Sequence, residues 1–418
     1  MKKIAIIGTG VSGLTCGHLL HKHYDVTLFE KNDYIGGHTA TVDVDIKGVN
    51  YAVDTGFIVF NNRTYPYFEK LLERISIKKQ ETQMSFSVHN EATGFEYNGH
   101  TFTSLFAQRR NIFRPKFWRL LSDIVKFNKL CKAIHEKGEY QQSQTLGQLL
   151  NENQFNDFFK YHYILPMGAA IWSTSIKEME NVGVEFFVKF FFNHGLLDIT
   201  NRPQWYVVPG GSREYINPLI KGFADRIKLN TDIKSVTRAN DDVTIELANG
   251  EQHFFDKVIF ACHSDQALKL LGDATSQEKS VLGAIPYTEN SVVLHTDTNL
   301  LPDRKAAWAS WNYLLNNNTD KAAVVTYQMN ILQGIQSDTQ FCVTLNHLEG
   351  IDKSKILREF TYHHPVFNKE SIAAQGLKQT IDGQNNSYFC GAYWYNGFHE
   401  DGVRSGVDVA RQLGVEFD

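Results

Sequence analysis

The chain has 418 residues, with 42 Lys+Arg against 46 Asp+Glu and a net charge of −4. That length predicts two or three domains with ample core, and the charge balance carries no nucleic-acid signature. No stretch of about 18 or more uncharged apolar residues is present to span a membrane. The five cysteines are scattered, which predicts reduced thiols in a cytoplasm, not a disulfide framework. With no C-x-x-C and no convincing His cluster, no metal is expected. The aromatic share is 13%, with 29 Phe, and points to a large core or to an apolar substrate cavity.

Residues 4–7 are an unbroken apolar run, as a strand buried on both faces should be. Because the chain enters this strand at once, no signal peptide is expected. Gly8, Gly10 and Gly13 follow at G-x-G-x-x-G spacing, then a helical face of Leu14, Leu19 and Leu20, then a second strand at residues 26–29 ending in Glu30. In a dinucleotide-binding turn the first glycine permits the tight bend. The second lets the backbone approach a pyrophosphate, and the third lets the helix pack on the strand. The helix N-terminus then faces the phosphates. Glu30 stands where a carboxylate accepts from ribose hydroxyls, and with no adjacent Arg it argues against NADP.

Gly36-Gly37-His38-Thr39 comes next, a loop suited to close backbone approach. Residues 40–45 and 49–53 alternate as a hairpin turning at Lys47-Gly48. Asp54-Thr55-Gly56-Phe57-Ile58 leads into a further apolar strand, and residues 65–74 read as a short helix. Together these motifs resemble the flavin-containing amine oxidase and phytoene desaturase superfamily, which implies FAD. In that superfamily an Arg usually follows the second glycine pair, where His38 stands here. The segments GGHTATV, DTGFIVFNNRTYPYFEKLLE and SLFAQRRNIFRPKFW are closer to a narrower group. They resemble the flavoprotein domain fused ahead of the methyltransferase in plant cyclopropane fatty acid synthases, and the free-standing bacterial flavoproteins related to it. That likeness extends to MGAAIWS, FFFNHGLL, RPQWYVVPGGSREY and GFHEDGVRSG, over most of the chain.

In residues 109–135, Arg109, Arg110, Arg114, Lys116, Arg119 and Lys126 interleave with Ile112, Phe113, Phe117 and Trp118. From Pro115 on, this reads as an amphipathic helix that packs on a core or lies on an anionic membrane surface. Residues 182–197 are very apolar, too short to span a membrane, and suit a buried helix or the wall of an acyl tunnel. His194 within them reads as a hydrogen-bonded structural histidine. Residues 205–215 return to a strand, a glycine turn and a helix. A β-meander follows at 233–238 and 243–247, then a strand at 258–261 ending in Cys262-His263. Residues 266–374 alternate helix and strand, with Trp308, Trp311 and Tyr313 around Ser310. A strand at 386–390 and the glycine-rich 397–406 then precede a helix running to about Leu413.

The resemblance implies an α/β fold: a Rossmann-like FAD-binding domain of the glutathione reductase type with a discontinuous α+β substrate domain. The flavin domain is expected at 1–75, 205–265 and 375–418, and the substrate domain at 76–204 and 266–374. Expected cofactor contacts are Gly8, Gly10, Ser12, Gly13, Glu30 and Lys31 at the nucleotide end, and Gly36, Gly37, His38, Thr39, Gly56, Phe57 and Ile58 in the loops beyond. The resemblance adds Val236, whose backbone would lie against the adenine, and Gly391, Ala392, His399, Glu400, Gly402 and Val403 near the C-terminus. A helix N-terminus at the flavin would favour its reduced, anionic form.

Three readings stay open: an oxidoreductase desaturating or oxygenating lipid acyl chains, a flavin amine oxidase, and a non-catalytic flavoprotein partner of a lipid methyltransferase. Flavin amine oxidases commonly hold a Lys near the flavin; Lys305 and Lys321 are in ordinary polar company. Trp394 with Tyr393 and Tyr395 could cage an ammonium. Tyr393, Tyr395, His399 and His363 are the acid–base candidates, and none is singled out. The expected location is cytoplasmic, with peripheral contact at the inner membrane face.

Overall fold

The computed structural model describes residues 1–141, 143–200, 202–239, 242–315 and 320–418. Its organising element is a five-stranded parallel sheet. The strands are β1 (Lys3–Ile7), β2 (Asp25–Phe29), β3 (Ile227–Lys228), β4 (Lys257–Phe260) and β5 (Ser387–Phe389), in the spatial order β3-β2-β1-β4-β5. Ile4, Ala5 and Ile6 are fully buried, because β1 lies centrally with layers on both faces. One face is covered by helix α1 (Val11–Leu20) and by helix α5 (His399–Gln412). The other packs on the meander Ile233–Ala239, Asp242–Leu247 and Gln252–Phe255. Strands of this one sheet therefore come from both ends and the middle of the chain.

The second sheet has seven strands. In spatial order they are Ile356–Pro365, Tyr287–His295, Cys342–Leu345, Val324–Gln328, Trp311–Leu315, Phe86–Asn90 and Phe95–Asn98, antiparallel except where Trp311–Leu315 meets Phe86–Asn90. Behind its far end lies a helical layer that includes α3 (Pro115–Lys137) and α4 (Val184–Asn193), around a core of Phe95, Phe117, Phe127, Phe159, Phe187 and Phe191. Helix α2 (Pro66–Arg74) begins with its proline at the first position, where the missing N–H costs nothing.

The strand expected after Gly56 is only Phe60–Asn61, and two helices are bounded differently from the expectation. The last helix begins at His399, so Gly402 and Gly406 lie inside it and do not precede it. There they are contact residues. A Cβ on Gly402 would stand 2.5 Å from Val11 Cγ1, and one on Gly406 would stand 2.7 Å from the Ser12 carbonyl. The helical cost of glycine, about 1 kcal/mol each, is offset by the close approach of α5 to α1. The apolar helix expected over 182–197 is shorter, Val184–Asn193, because Gly195 takes a left-handed φ of +65° that ends it.

Candidate active site

The glycine turn where the sequence predicts a nucleotide is built by β1, α1 and β2. Gly8 has a φ of +106°, and a Cβ there would meet the Ala261 carbonyl at 2.8 Å. A Cβ on Gly13 would stand 2.1 Å from the Gly8 carbonyl oxygen. A Cβ on Gly10, by contrast, would meet nothing within 4 Å, so the backbone there borders open space. Helix α1 starts after Gly10 with no side-chain cap and no acid in its first turn, and no side chain competes there with a bound anion. Glu30 is buried at the end of β2. It accepts from the Thr9 N–H at 3.0 Å, the Thr9 hydroxyl at 2.6 Å and the Asn32 N–H at 2.9 Å, which leaves about one of its roughly four acceptor positions for a ribose hydroxyl. These features fit the phosphates and ribose of FAD.

The loops beyond are brought together around that opening. Gly36 bridges to Gly10 in parallel. The His38 carbonyl accepts from the Phe57 N–H at 2.7 Å, and a Cβ on Gly56 would be 2.2 Å from that same oxygen. Asp54 ties the hairpin to the returning segment: it accepts from Thr41 Oγ1 at 2.6 Å, Ser212 Oγ at 3.0 Å and the Ser212 N–H at 2.9 Å. Burial nonetheless pushes its carboxyl up to about 6. Thr39 Oγ1 lies 2.5 Å from Tyr215 Oη, and Tyr215 Oη lies 2.6 Å from His399 Nε2. His399 stacks on Phe57 with ring centroids 3.7 Å apart. Tyr215 was not among the expected site residues; its signal was its place at the end of RPQWYVVPGGSREY.

Other expected contacts are engaged elsewhere. Lys31 is exposed and pairs with Asp232 at 3.3 Å. Ile58 packs in the core beneath the seven-stranded sheet, and Val403 in the core between α5 and the parallel sheet. The Glu400 carboxylate accepts from the Tyr67 and Phe68 N–H groups at 3.0 and 2.8 Å, holding the start of α2. The Gly391 N–H donates to Ser405 Oγ at 2.8 Å, and Ala392 opens a 3-10 turn. Val236 is fully buried among Val243 and Ile245, and its carbonyl already accepts from the Gly272 N–H at 2.9 Å. Ile233 opens the same strand. It lies beside the turn where the Thr231 N–H donates to the Glu30 carbonyl at 2.8 Å.

Three histidines distant from one another in sequence, His38, His263 and His364, lie together beside these loops. The His38 ring lies 4.9 Å from Tyr362, 5.7 Å from His364 and 6.3 Å from His263. His364 Nδ1 is 3.3 Å from Asn290 Nδ2, and His263 stacks on Tyr287 at 4.5 Å. His38 Nε2 is buried without a partner. Burial, reinforced by the other imidazoles, pushes His38 down to about 4 and His263 and His364 to about 3. At neutral pH these rings offer hydrogen bonds but no positive charge. His363 is on the opposite face of its strand, half exposed, 3.6 Å from Glu289.

The aromatic helix reaches this region from the other side. Phe190 of α4 stacks on Phe398 at 5.1 Å, Trp172 lies 4.8 Å from Phe190, and Phe186 lies 5.4 Å from Phe367. His194 Nδ1 is 2.9 Å from the Phe190 carbonyl, and burial pushes the ring down to about 4. Trp394, Tyr393 and Tyr395 form no open cage. Arg404 sits 4.0 Å over Tyr395 and Lys378 sits 5.6 Å over Trp394. Lys305 rests 5.8 Å over Trp308, and Lys321 is exposed. Away from the crevice, His89, Glu96 and Asp303 bring ligand atoms within 4.8 Å of one another, and Arg304 already neutralises Glu96 at 2.5 Å.

Burial of the histidines predicts how stability responds to acid. Between about pH 6.5 and 4 the unfolded chain takes up protons that folded His38, His263, His364, His194, His162 and His295 refuse. Their stabilisation is present above 6.5 and is lost as pH falls, at about 1.4 kcal/mol per pH unit for each net proton. Asp54, raised to about 6, and Glu400 and Asp401, raised to about 7, act oppositely. Their stabilisation is lost as pH rises through those values. The histidines outnumber them, so the urea midpoint is expected to be lower at pH 5 than at pH 7. An equal or higher midpoint at pH 5 would mean that the histidines are charged or paired in the fold.

The profile of the family described as flavin containing amine oxidoreductase matches residues 11–339. A 1-hydroxycarotenoid 3,4-desaturase from Flavobacterium sp. (strain P99-3) is 26% identical over 232 residues, 55% of this chain and 43% of that one. Flavin-containing amine oxidase B of Homo sapiens is 22% identical over 282 residues, 64% and 51%. The chain spans about half the length, or less, of these curated relatives. A fatty acid isomerase from P. acnes, described as producing CLA, superposes with a TM-score of 0.70 at 16% identity, covering 99% of both chains. Cyclohexylamine oxidase from Brevibacterium oxydans gives 0.69 at 13% identity, again covering 99% of both. Such likenesses show the fold.

Proposed function

Since the chain belongs to the flavin-containing amine oxidoreductase family, we propose that it is an FAD-dependent oxidoreductase whose substrate is an apolar lipid: a long unsaturated or methyl-branched acyl chain. Bound FAD supplies the hydride acceptor; the protein supplies orientation, polarity and exclusion of water. The observation that carries the reading is the contact of Phe190 with Phe398. It sets the buried aromatic face of α4 directly against the residue next to His399, so a chain bound beside His399 would be held by apolar surface, at about 0.8 kcal/mol per buried CH₂. The neutral histidines beside His38 add hydrogen-bonding groups without charge, which suits a substrate with little charge to pair. Two of the relatives are named for apolar chains, a carotenoid desaturase and a fatty acid isomerase, and others for amines. An amine reading is less well served, because the aromatic rings that could receive an ammonium already carry Arg404 and Lys378.

In this reading the flavin domain takes 1–75, 205–265 and 375–418, and the rest forms the substrate side. The nucleotide lies along Gly8, Gly10, Ser12, Gly13 and Glu30, and the flavin among Gly36, Gly37, His38, Thr39, Gly56, Phe57 and His399. Ile233 is favoured over Val236 for the adenine, since the Val236 carbonyl is engaged.

The test is anaerobic mixing of the holoprotein with phospholipids bearing unsaturated or methyl-branched chains. Loss of the oxidised-flavin absorbance is expected with these lipids and not with saturated ones. Rapid bleaching by a primary or secondary amine, with lipids inert, would replace the lipid reading by amine oxidation. Bleaching by neither would favour a non-catalytic role beside a lipid methyltransferase.

A further inference from the structure

Four large apolar side chains stand in solvent on adjoining elements: Phe113 is 85% exposed, Phe102 77%, Trp118 50% and Ile112 44%. Contacts link Phe102, Trp118 and Ile112, and Phe113 follows Ile112 in the same 3-10 turn. The Phe102 ring packs on Phe106 at 4.9 Å, and Phe106 packs on Trp118 at 5.7 Å. Trp118 Nε1 donates to the Ile112 carbonyl at 2.8 Å, which fixes the indole beside the 3-10 turn Arg109–Phe113. Arg109, Arg110, Lys116 and Arg119 are exposed around it, and Arg114 is half-buried. From residue 97 to residue 122 there is no acid. Asp123, the next one, is buried and lies 3.5 Å from Arg119.

We infer that this patch docks on an anionic lipid bilayer. The charge is complementary: the segment presents five cations and no anion to a surface whose headgroups are negative. Solvent-exposed phenylalanines and an indole ringed by arginines match the division of a bilayer into acyl interior and charged interface. A patch of this kind on a lone surface is otherwise costly to solubility. Beneath it, Phe106 and Phe117 belong to the same hydrophobic core as Phe187 and Phe190 of α4. The docked face therefore rests on that core. Among the described residues no helix is long and apolar enough to cross a membrane, so contact is by this surface, not by a span. The inference stands apart from the acyl-chain reading, since docking is measured without turnover.

The experiment is sedimentation of the flavin-loaded protein with vesicles of phosphatidylglycerol and phosphatidylcholine, and with phosphatidylcholine alone. Binding is expected to the anionic vesicles, to be weaker at high salt because screening reduces the charge contribution, and to be slight on the neutral ones. Arg109→Ala, Arg110→Ala and Arg114→Ala together should weaken partitioning by about fivefold per charge. Phe102→Ser with Phe113→Ser should weaken it about tenfold, with flavin content and circular dichroism unchanged because both rings are exposed. Absence of wild-type binding overturns the inference, as does binding that survives both variants. Binding that ignores the phenylalanines reduces the patch to a polyanion contact and overturns it too. A solution dimer broken by Phe113→Ser, without vesicle binding, would assign the patch to a second copy instead.

Discussion

Gly13→Ala is expected to yield a colourless protein. The added methyl carbon would stand 2.1 Å from the Gly8 carbonyl oxygen and 3.0 Å from Ala261 Cβ. Both neighbours are fixed: Gly8 belongs to the turn that ends β1, and the Gly8 N–H donates to the Phe29 carbonyl at 2.8 Å. Neither can yield, so α1 must lift from the sheet. Overpacking of this kind typically costs about 1–3 kcal/mol, and here it also moves the N–H groups that would face the pyrophosphate. Flavin content after purification should fall at least about tenfold, the factor that roughly 1.4 kcal/mol represents. Gly10→Ala is the companion. Its Cβ meets nothing within 4 Å, so the flavin-free protein should unfold within about 0.5 kcal/mol of wild type, as an unstrained surface change does. It should still bind flavin poorly, because the methyl group would occupy the space left for the ligand. Full flavin in both variants would remove the nucleotide from this turn.

Arg238→Met is expected to cost about 3–5 kcal/mol in urea unfolding of the holoprotein, the typical penalty for stranding one partner of a buried ion pair. The Arg238 side chain is 4% exposed and that of Glu278 2%. Arg238 Nη2 donates to Glu278 Oε2 at 2.8 Å, Nε to Asp273 Oδ1 at 2.9 Å and Nη1 to Ser387 Oγ at 3.1 Å. The guanidinium thereby fastens the meander to the first residue of β5, and the pairing outweighs burial in raising the Arg238 pKa and lowering that of Glu278. Arg238→Met combined with Glu278→Gln should recover part of the loss, because no buried carboxylate then remains unpaired. A loss under about 1 kcal/mol for the single variant would show that water reaches Glu278 and takes over the role of the guanidinium.

By itself the sequence determined the β1–α1–β2 unit, and the resemblance carried by it and the motifs that follow implied the fold class. Every constraint there is local: the apolar run of residues 4–7, three glycines within one turn and Glu30 at the next strand end all act within the unit they build. The hairpin at Thr41–Ile46 and Val49–Asp54 was legible for the same reason, as was helix α3 from Pro115. Only the tertiary structure decided which distant residues meet. Strand β5 lies beside β4, and the helix after it brings Gly402 and Gly406 onto Val11 and Ser12; no periodicity in either segment specifies the other as its partner. His38, His263 and His364 are far apart in sequence. They converge because β4 and the strand Ile356–Pro365 both end at the crevice. Their burial holds their pKa values below the ordinary imidazole value. The same holds for Phe113 and Phe117: in sequence both read as apolar residues among arginines, yet one is 85% exposed and the other 0%. The 3-10 turn before α3 directs Phe113 outward, while the helix places Phe117 on the core face, and sequence pattern alone does not distinguish the two.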